Sequence, residues 1–309
     1  VESSLAQAQA EAGIISKESA NIISNCCQID FIDIEKLKKD IKLGGNAAIP
    51  LVQQLTKVIK SRDFEASKFV HFGATSQDIV DTGSIVQIAQ YLNLLESKLL
   101  VLKSELIKIT KKYKNTVMVG RTLLQQARPI TFGLKSSAWL EGVCRSIDRF
   151  IEMKVRLLVV QLSGAVGSQN KNISNDVVNL FAQFLGLSPS FSWQSQRDNL
   201  NEFASNLGIL TGSLAKIAKD VSLLMQTEVG EVFEGAAEGK GGSSTMPHKR
   251  NPVTCAAILA NATRIPHLVG SMLSSMIQEH ERSAGNWHAE WEVLTKIMLL
   301  TAGSLEKTV

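Results

Sequence analysis

Between two helical runs the chain reads Gly241-Gly242-Ser243-Ser244-Thr245-Met246-Pro247-His248-Lys249-Arg250-Asn251-Pro252. Hydroxyls, an imidazole, two cations and a carboxamide sit together on mobile backbone. Glycines at 239, 241 and 242 permit positive φ, while Pro247 and Pro252 stiffen the far side and hold the polar groups at a fixed spacing. Such a loop can open for a substrate and close over it. A hydroxyl such as Ser243 can move a proton only if it is desolvated and surrounded by positive charge, here from Lys249 and nearby helix N-termini. The competing reading is a solvated basic linker.

Two further polar clusters precede this loop. Val70-His71-Phe72-Gly73-Ala74-Thr75-Ser76-Gln77-Asp78 ends at Asp81-Thr82-Gly83, just before a long apolar repeat. Thr75 or Ser76 can cap that helix with Asp78 in its first turn, or the same hydroxyls and helix N-terminus can receive a carboxylate. Gly120-Arg121-Thr122-Leu123-Leu124-Gln125-Gln126-Ala127-Arg128-Pro129-Ile130-Thr131 reads as a loop before the next helix, and two arginines alone do not name a ligand. Arg197 is either a carboxylate clamp or the partner of Asp198 or Glu202 at a helix start. His288, beside Trp287, either lines a pocket or is structural, as is His280; His71 either orients the first cluster or packs beneath Phe72. His280-Glu281-Arg282 lacks a second histidine at zinc-helix spacing, so no metal and no cofactor are expected.

The glycine-rich loop matches G-S-S-x-x-P-x-K-x-N, and the chain thereby resembles the fumarase/aspartase superfamily. The two other clusters match that superfamily's remaining signature regions in the right order, so the resemblance covers nearly the whole chain. It implies an all-α, long-helix bundle, a homotetramer, and active sites each built from three subunits. It also implies that Ser243 is the catalytic base or its positional equivalent. Lys249 and Asn251 would hold a substrate carboxylate, and Thr75, Ser76, Gln77, Thr122 and Gln125 would bind substrate. Gly45-Asn46-Ala47-Ala48-Ile49-Pro50-Leu51-Val52, Trp193-Gln194-Ser195-Gln196-Arg197-Asp198, Gln278-Glu279-His280-Glu281-Arg282 and Trp287-His288-Ala289-Glu290-Trp291 look most like the lactonizing cycloisomerase branch. The implied activity is ring closure of a tricarboxylate diene, 3-carboxy-cis,cis-muconate, in protocatechuate degradation. Adenylosuccinate and argininosuccinate lyases place histidine directly after the threonine of the second region, where Leu123 stands here. They also carry a histidine in the region of Asn46. A C–N lyase releasing fumarate and an inactive structural member are the alternatives; the first is disfavoured by Leu123, the second by the intact loop from Ser243 to Asn251.

The elements that must position these groups are legible as apolar periodicities. Ile85, Ile88, Leu92, Leu95, Leu99, Leu102, Leu106, Ile109 and Tyr113 alternate steps of three and four, with no Pro or Gly between Gly83 and Gly120. Leu200, Phe203, Leu207, Leu210, Leu214, Ile217, Val221 and Leu224 form a second such seam. Leu134 to Leu162 is apolar nearly all round, through Trp139, Val143, Ile147, Phe150, Ile151, Val155 and Leu158, and should be buried on several sides. Helices of about 30 residues reach about 45 Å and suit a bundle of near-parallel rods. One chain has too few of them to cover every apolar face, so other copies are expected to complete the bundle. Val117-Met118-Val119 is too brief to build a sheet.

Composition sets outer limits. The chain has 309 residues, 44% of them hydrophobic, with 33 basic and 29 acidic residues spread through it, giving +4. It can bury one large core or two smaller ones, and no basic stripe points to nucleic acid. Glu35-Lys36-Leu37-Lys38-Lys39-Asp40-Ile41-Lys42 reads as a wet helix face. Cys26, Cys27, Cys144 and Cys255 lack metal-ligand spacing and read as thiols of a reducing compartment. With no secretory start and no uninterrupted membrane-length apolar run, a cytoplasmic protein is expected. The division expected is a helical domain over 1–80, incomplete at its start, and the bundle over 81–309 with its loop at 239–252. By the resemblance, a small C-terminal domain is largely absent.

Overall fold

A computed structural model describes residues 1–235, 240–243, 245–246 and 248–309. Gly239 and Pro247, expected to bound the reactive loop, and Ser244 within it lie outside the described residues. The elements are α1 (Glu2–Glu11), α2 (Lys17–Cys26), α3 (Ile34–Gly44), α4 (Ala48–Lys60), α5 (Phe64–Ser67), α6 (Ser76–Lys112), β1 (Val117–Thr122), β2 (Gln125–Thr131), α7 (Phe132–Leu157), α8 (Asn175–Leu185), α9 (Asp198–Leu224), α10 (Val253–Ser275) and α11 (Asn286–Thr308). The fold is helical, as expected. It divides into two compact units, each made of separate stretches of chain.

The first unit comprises Val1–Tyr91, Lys154–Asn199 and Gln278–Ala284. Its short helices are started by local caps: Ser16 accepts from the Ser19 N–H, Ser174 from Val177, and Asn46 from both Ala48 and Ile49 at the head of α4. The alanines of α1 let neighbouring helices approach on two faces. Leu5 and Ala8 pack with Val177, Val178 and Phe181 of α8, whereas Ala6 and Ala10 pack with Ile23, Leu55 and Ile59 of α2 and α4. The fully buried Gln9 of α1 donates to the carbonyls of Phe72 (2.7 Å) and Asn172 (2.9 Å), fixing the chain that leads into the first polar cluster.

The second unit comprises Leu92–Met153, Leu200–Ile277 and Gly285–Val309. The helix carrying the first seam spans 37 residues, and at 1.5 Å per residue reaches about 55 Å. Ile85 to Leu106 of that seam are buried, as are Leu200 to Ile217 of α9. By length and composition α6 alone, among the described residues, could cross a bilayer; most of its buried apolar residues belong to the seam. Within this unit Trp139 of α7 donates to Asp220 of α9 at 2.8 Å, Thr211 of α9 meets Thr301 of α11 at 3.0 Å, and Asn261 of α10 donates to Ser304 of α11 at 3.2 Å.

Two expectations need correction. The stretch from 120 to 131 is the antiparallel hairpin β1–β2, with Thr122 paired to Gln125 across Leu123 and Leu124. Both leucines have positive φ, 50° and 64°, the signature of a type I′ turn. The sequence hid the hairpin because such turns ordinarily carry Asn or Gly there. Gly120, opposite a bulge, admits the Arg128 carbonyl to a point only 2.7 Å from where a Cβ would stand. The helix expected to reach Leu162 stops at Leu157, because the next residues pair in extended form with Ser188: Val160 donates to its carbonyl at 2.9 Å and Ser188 donates to that of Leu158 at 3.0 Å. On α7, Trp139, Val143 and Phe150 are buried, but Ile151 and Val155 are exposed within this chain.

Candidate functional site

In the first unit, Thr75 directly precedes α6 and its N–H donates to Asp78 Oδ2 at 3.0 Å, one arm of a capping box. The local capping geometry is therefore present, and it is built into something larger. Asp78, fully buried, also accepts from the N–H groups of Ser163 and Gly164 (both 3.0 Å) and from Gln161 Nε2 (3.1 Å). Burial pushes its carboxyl above the ordinary range against the opposing pull of these four donors. The strand-like stretch that ends α7 early is thus the wall against which the first cluster is set.

Gln77 and Arg197, read as substrate groups, are interior. Gln77 Nε2 donates to Asp81 Oδ2 (3.1 Å) and to the Gln194 carbonyl (2.9 Å). Arg197 forms a two-pronged ion pair with Asp81 at 2.7 and 3.1 Å, and its guanidinium stacks on Trp193 at 4.9 Å. Asp81, more than a hundred residues earlier in the chain, is thus an ion-pair partner of Arg197. Gln77 and Arg197 both converge on the Asp81 carboxylate. Thr75 Oγ1 accepts from Arg282 Nη2 at 2.7 Å, and Arg282 also donates to the Ala165 carbonyl at 3.2 Å. Ser76 is partly exposed. His71 Nδ1 lies 2.7 Å from Glu2 Oε1, and Phe72 meets Phe69 edge-on.

In the second unit, Ser243 Oγ accepts from the N–H groups of Met246 (3.1 Å) and Thr245 (3.3 Å) and lies 3.5 Å from Thr245 Oγ1. Two N–H donors aimed at one hydroxyl oxygen favour its ionised form. The Asn251 N–H returns to the Gly241 carbonyl at 2.8 Å, a closure that requires glycine: φ is 72°, and a Cβ would lie 2.6 Å from the Asn251 carbonyl oxygen. Lys249 is exposed and has no ion pair among the described residues. Thr122 and Gln125 flank the hairpin tip in solvent, with Leu123 96% and Leu124 76% exposed. His288 is exposed and lies against Trp287 (5.2 Å) and Trp291 (4.7 Å). Within this unit no hydrogen bond among the described residues joins the hairpin tip or His288 to Ser243, Lys249 or Asn251.

Several supporting groups escaped the reading of the sequence. Arg121 grips Glu231 through two bonds of 2.9 and 2.7 Å, which holds the Glu231 carboxyl below its ordinary range. Glu234 accepts from Cys255 N–H (2.7 Å) and Thr254 N–H (3.2 Å) at the head of α10. Burial pushes Glu234 up, but these hydrogen bonds together outweigh it and leave its carboxyl below the ordinary value. Two acidic residues just ahead of a glycine-rich loop were the available signal. No group of three or more His, Cys, Asp or Glu side chains suited to a metal occurs among the described residues. Two clefts of the second unit, about 630 Å³ beside Tyr113, Phe132 and Phe233 and about 590 Å³ between α7 and α9, contain none of the predicted site residues.

A family model described as Lyase matches residues 1–266. The 3-carboxy-cis,cis-muconate cycloisomerase of Acinetobacter baylyi is 47% identical across the whole chain and 69% of its own length, and that of Pseudomonas aeruginosa 45% identical across the whole chain and 68% of its own. The solved 3-carboxy-cis,cis-muconate lactonizing enzyme from Pseudomonas putida superposes with a TM-score of 0.95 at 46% identity, over 99% of this chain and 69% of that one. By motif order, sequence identity and fold alike, the chain belongs to the fumarase/aspartase superfamily of lyases.

Proposed function

We propose that the protein converts 3-carboxy-cis,cis-muconate to 4-carboxymuconolactone in protocatechuate degradation. The observation that carries this reading is identity of 45–47% with cycloisomerases across the entire chain, not across the loop alone. In the reaction one carboxylate of the diene adds to a conjugated double bond and closes a five-membered ring. Charge moves onto a neighbouring carboxylate as an aci-form, and the adjacent carbon then takes a proton. Such chemistry rewards donors and cations placed where charge develops and a pocket that holds nucleophile and alkene together.

Ser243 is the proton-transfer residue of this proposal, supported by the two N–H groups directed at its oxygen. Lys249 and Asn251 hold a substrate carboxylate, as do the hydroxyls of Thr75 and Ser76, and Thr122, Gln125 and His288 also bind substrate, each active site being built from three subunits of a homotetramer. The exposed Ile151 and Val155 of α7, Leu94 of α6 and Leu299 of α11 are apolar surface that such an assembly would cover. The test is to mix purified protein with 3-carboxy-cis,cis-muconate and follow loss of the diene absorbance. Rapid loss with appearance of the lactone is expected; no change in a folded oligomer overturns the proposal and redirects assays to fumarate release from adenylosuccinate and argininosuccinate.

A further inference from the structure

Three side chains of one short stretch, Glu231-Val232-Phe233-Glu234, each hold a different part of the second unit. Glu231 grips Arg121 through both terminal guanidinium nitrogens, and Arg121 directly precedes Thr122 at the hairpin tip. The Phe233 ring lies beneath the Arg250 guanidinium, 5.2 Å from its centre, next to Lys249 and Asn251. Glu234 binds the N–H groups of Thr254 and Cys255, the second and third residues of α10. Those two donors are the ones an N-cap side chain ordinarily satisfies. Here the N-cap is Pro252, which has no side-chain acceptor, so a carboxylate from about twenty residues earlier does the capping. Lys240 adds a charge 3.6 Å from the same carboxylate.

The consequence is a closed base for the segment that bears Ser243. Glu234 ties its start to its end, and the Gly241–Asn251 hydrogen bond makes a second tie inside the first. We infer that Glu231–Glu234 is a positioning bracket for the proton-transfer loop: Glu234 fixes the backbone of Asn251 and its neighbours, Phe233 seats Arg250, and Glu231 sets the hairpin edge that carries Thr122. None of the three touches substrate. The inference deepens the proposed reaction and rests on it for its kinetic part only.

The test compares Glu234→Ala, Glu234→Gln and Glu231→Gln with the unaltered protein by amide hydrogen exchange and by steady-state kinetics on 3-carboxy-cis,cis-muconate. Glu234→Ala should speed exchange at Asn251, Thr254 and Cys255 by about tenfold or more while leaving α8 unchanged, since the ties removed are local. It should lower kcat by about 10- to 100-fold with KM nearly constant, the effect of a misplaced group and not of a lost substrate contact. Glu234→Gln should fall between, because an amide keeps one acceptor. If Glu234→Ala does not fold, Glu231→Gln gives the parallel readout at Arg121 and Thr122. The bracket is overturned if exchange at these amides stays within about twofold, or rises equally in α8. Absence of turnover by the unaltered protein would overturn the proposed reaction, and the exchange arm would still decide the bracket.

Discussion

Replacing Asp81 by Leu should destabilise the first unit more than replacing Asp81 and Arg197 together. The Arg197 side chain is 1% exposed and that of Asp81 3%, so neither charge has water to fall back on. Their two hydrogen bonds, 2.7 and 3.1 Å, are part of the compensation, and Gln77 Nε2 also loses one of its two acceptors when Asp81 is removed. Removing one member of a buried pair costs about 3–5 kcal/mol, and for a chain of this size roughly 2 °C of melting temperature accompanies each kcal/mol. A fall of roughly 6–10 °C is therefore expected for Asp81→Leu. Asp81→Leu combined with Arg197→Met removes both charges and should recover about half of that loss or more, since an apolar pair of similar volume can match an ion pair. Urea midpoints followed by tryptophan fluorescence, at one fixed protein concentration, give the double-mutant coupling. A single variant within about 1 kcal/mol of the unaltered protein, or a double variant as unstable as the sum of the singles, would refute the reasoning.

Other perturbations separate the loop's parts. Ser243→Ala should cut kcat by about 100-fold or more, and near-normal turnover of muconate by that variant would remove Ser243 from proton transfer. Gly241→Ala sets a Cβ against the Asn251 carbonyl at a φ of 72°; it should lower kcat by at least about tenfold while the melting temperature moves little, and a crystal structure with an unmoved Asn251 would contradict this. The carboxyls of Glu231 and Glu234 both titrate below the ordinary glutamate value of 4.5. Their stabilisation is therefore present above pH 4.5 and lost as pH falls through the lowered values. Thermal unfolding across pH 6 to 3 should show an acid-side loss that Glu231→Gln with Glu234→Gln flattens, and an unchanged slope in that variant would count against the assignment.

The long helices were legible because their seams are long: a three-four alternation sustained from Ile85 to Leu106 has no competing reading, and those residues are buried. The hairpin was not legible, because Leu123 and Leu124 adopt backbone angles that leucine rarely takes and no local signal announces them. Thr75 and Asp78 were read correctly as a helix start, but local sequence could not show that Ser163 and Gly164, more than eighty residues away, complete the carboxylate's shell. The same gap explains Arg197. Its neighbours in sequence, Asp198 and Glu202, were the obvious candidates, and nothing local pointed to Asp81. Motif order singled out the loop; the acidic residues that brace it carry no pattern of their own, and only their distances to Arg121, Thr254 and Cys255 distinguish them from ordinary surface charge.

A helix capped by a carboxylate from the far side of a loop makes that loop an exchangeable cassette. Whatever chain runs between Glu234 and Thr254, its two ends meet at the same pair of hydrogen bonds. Closing a somewhat longer or shorter segment changes the entropy only with the logarithm of its length, about 0.6 kcal/mol per doubling. Apart from Gly241, whose closure requires glycine, and Arg250, seated on Phe233, the sequence between those two residues is thereby freed to vary with the chemistry demanded of it. Transplanting the whole segment from a relative, cut at the clasp and not at the glycines, is the natural unit for recombining reactivities within this superfamily.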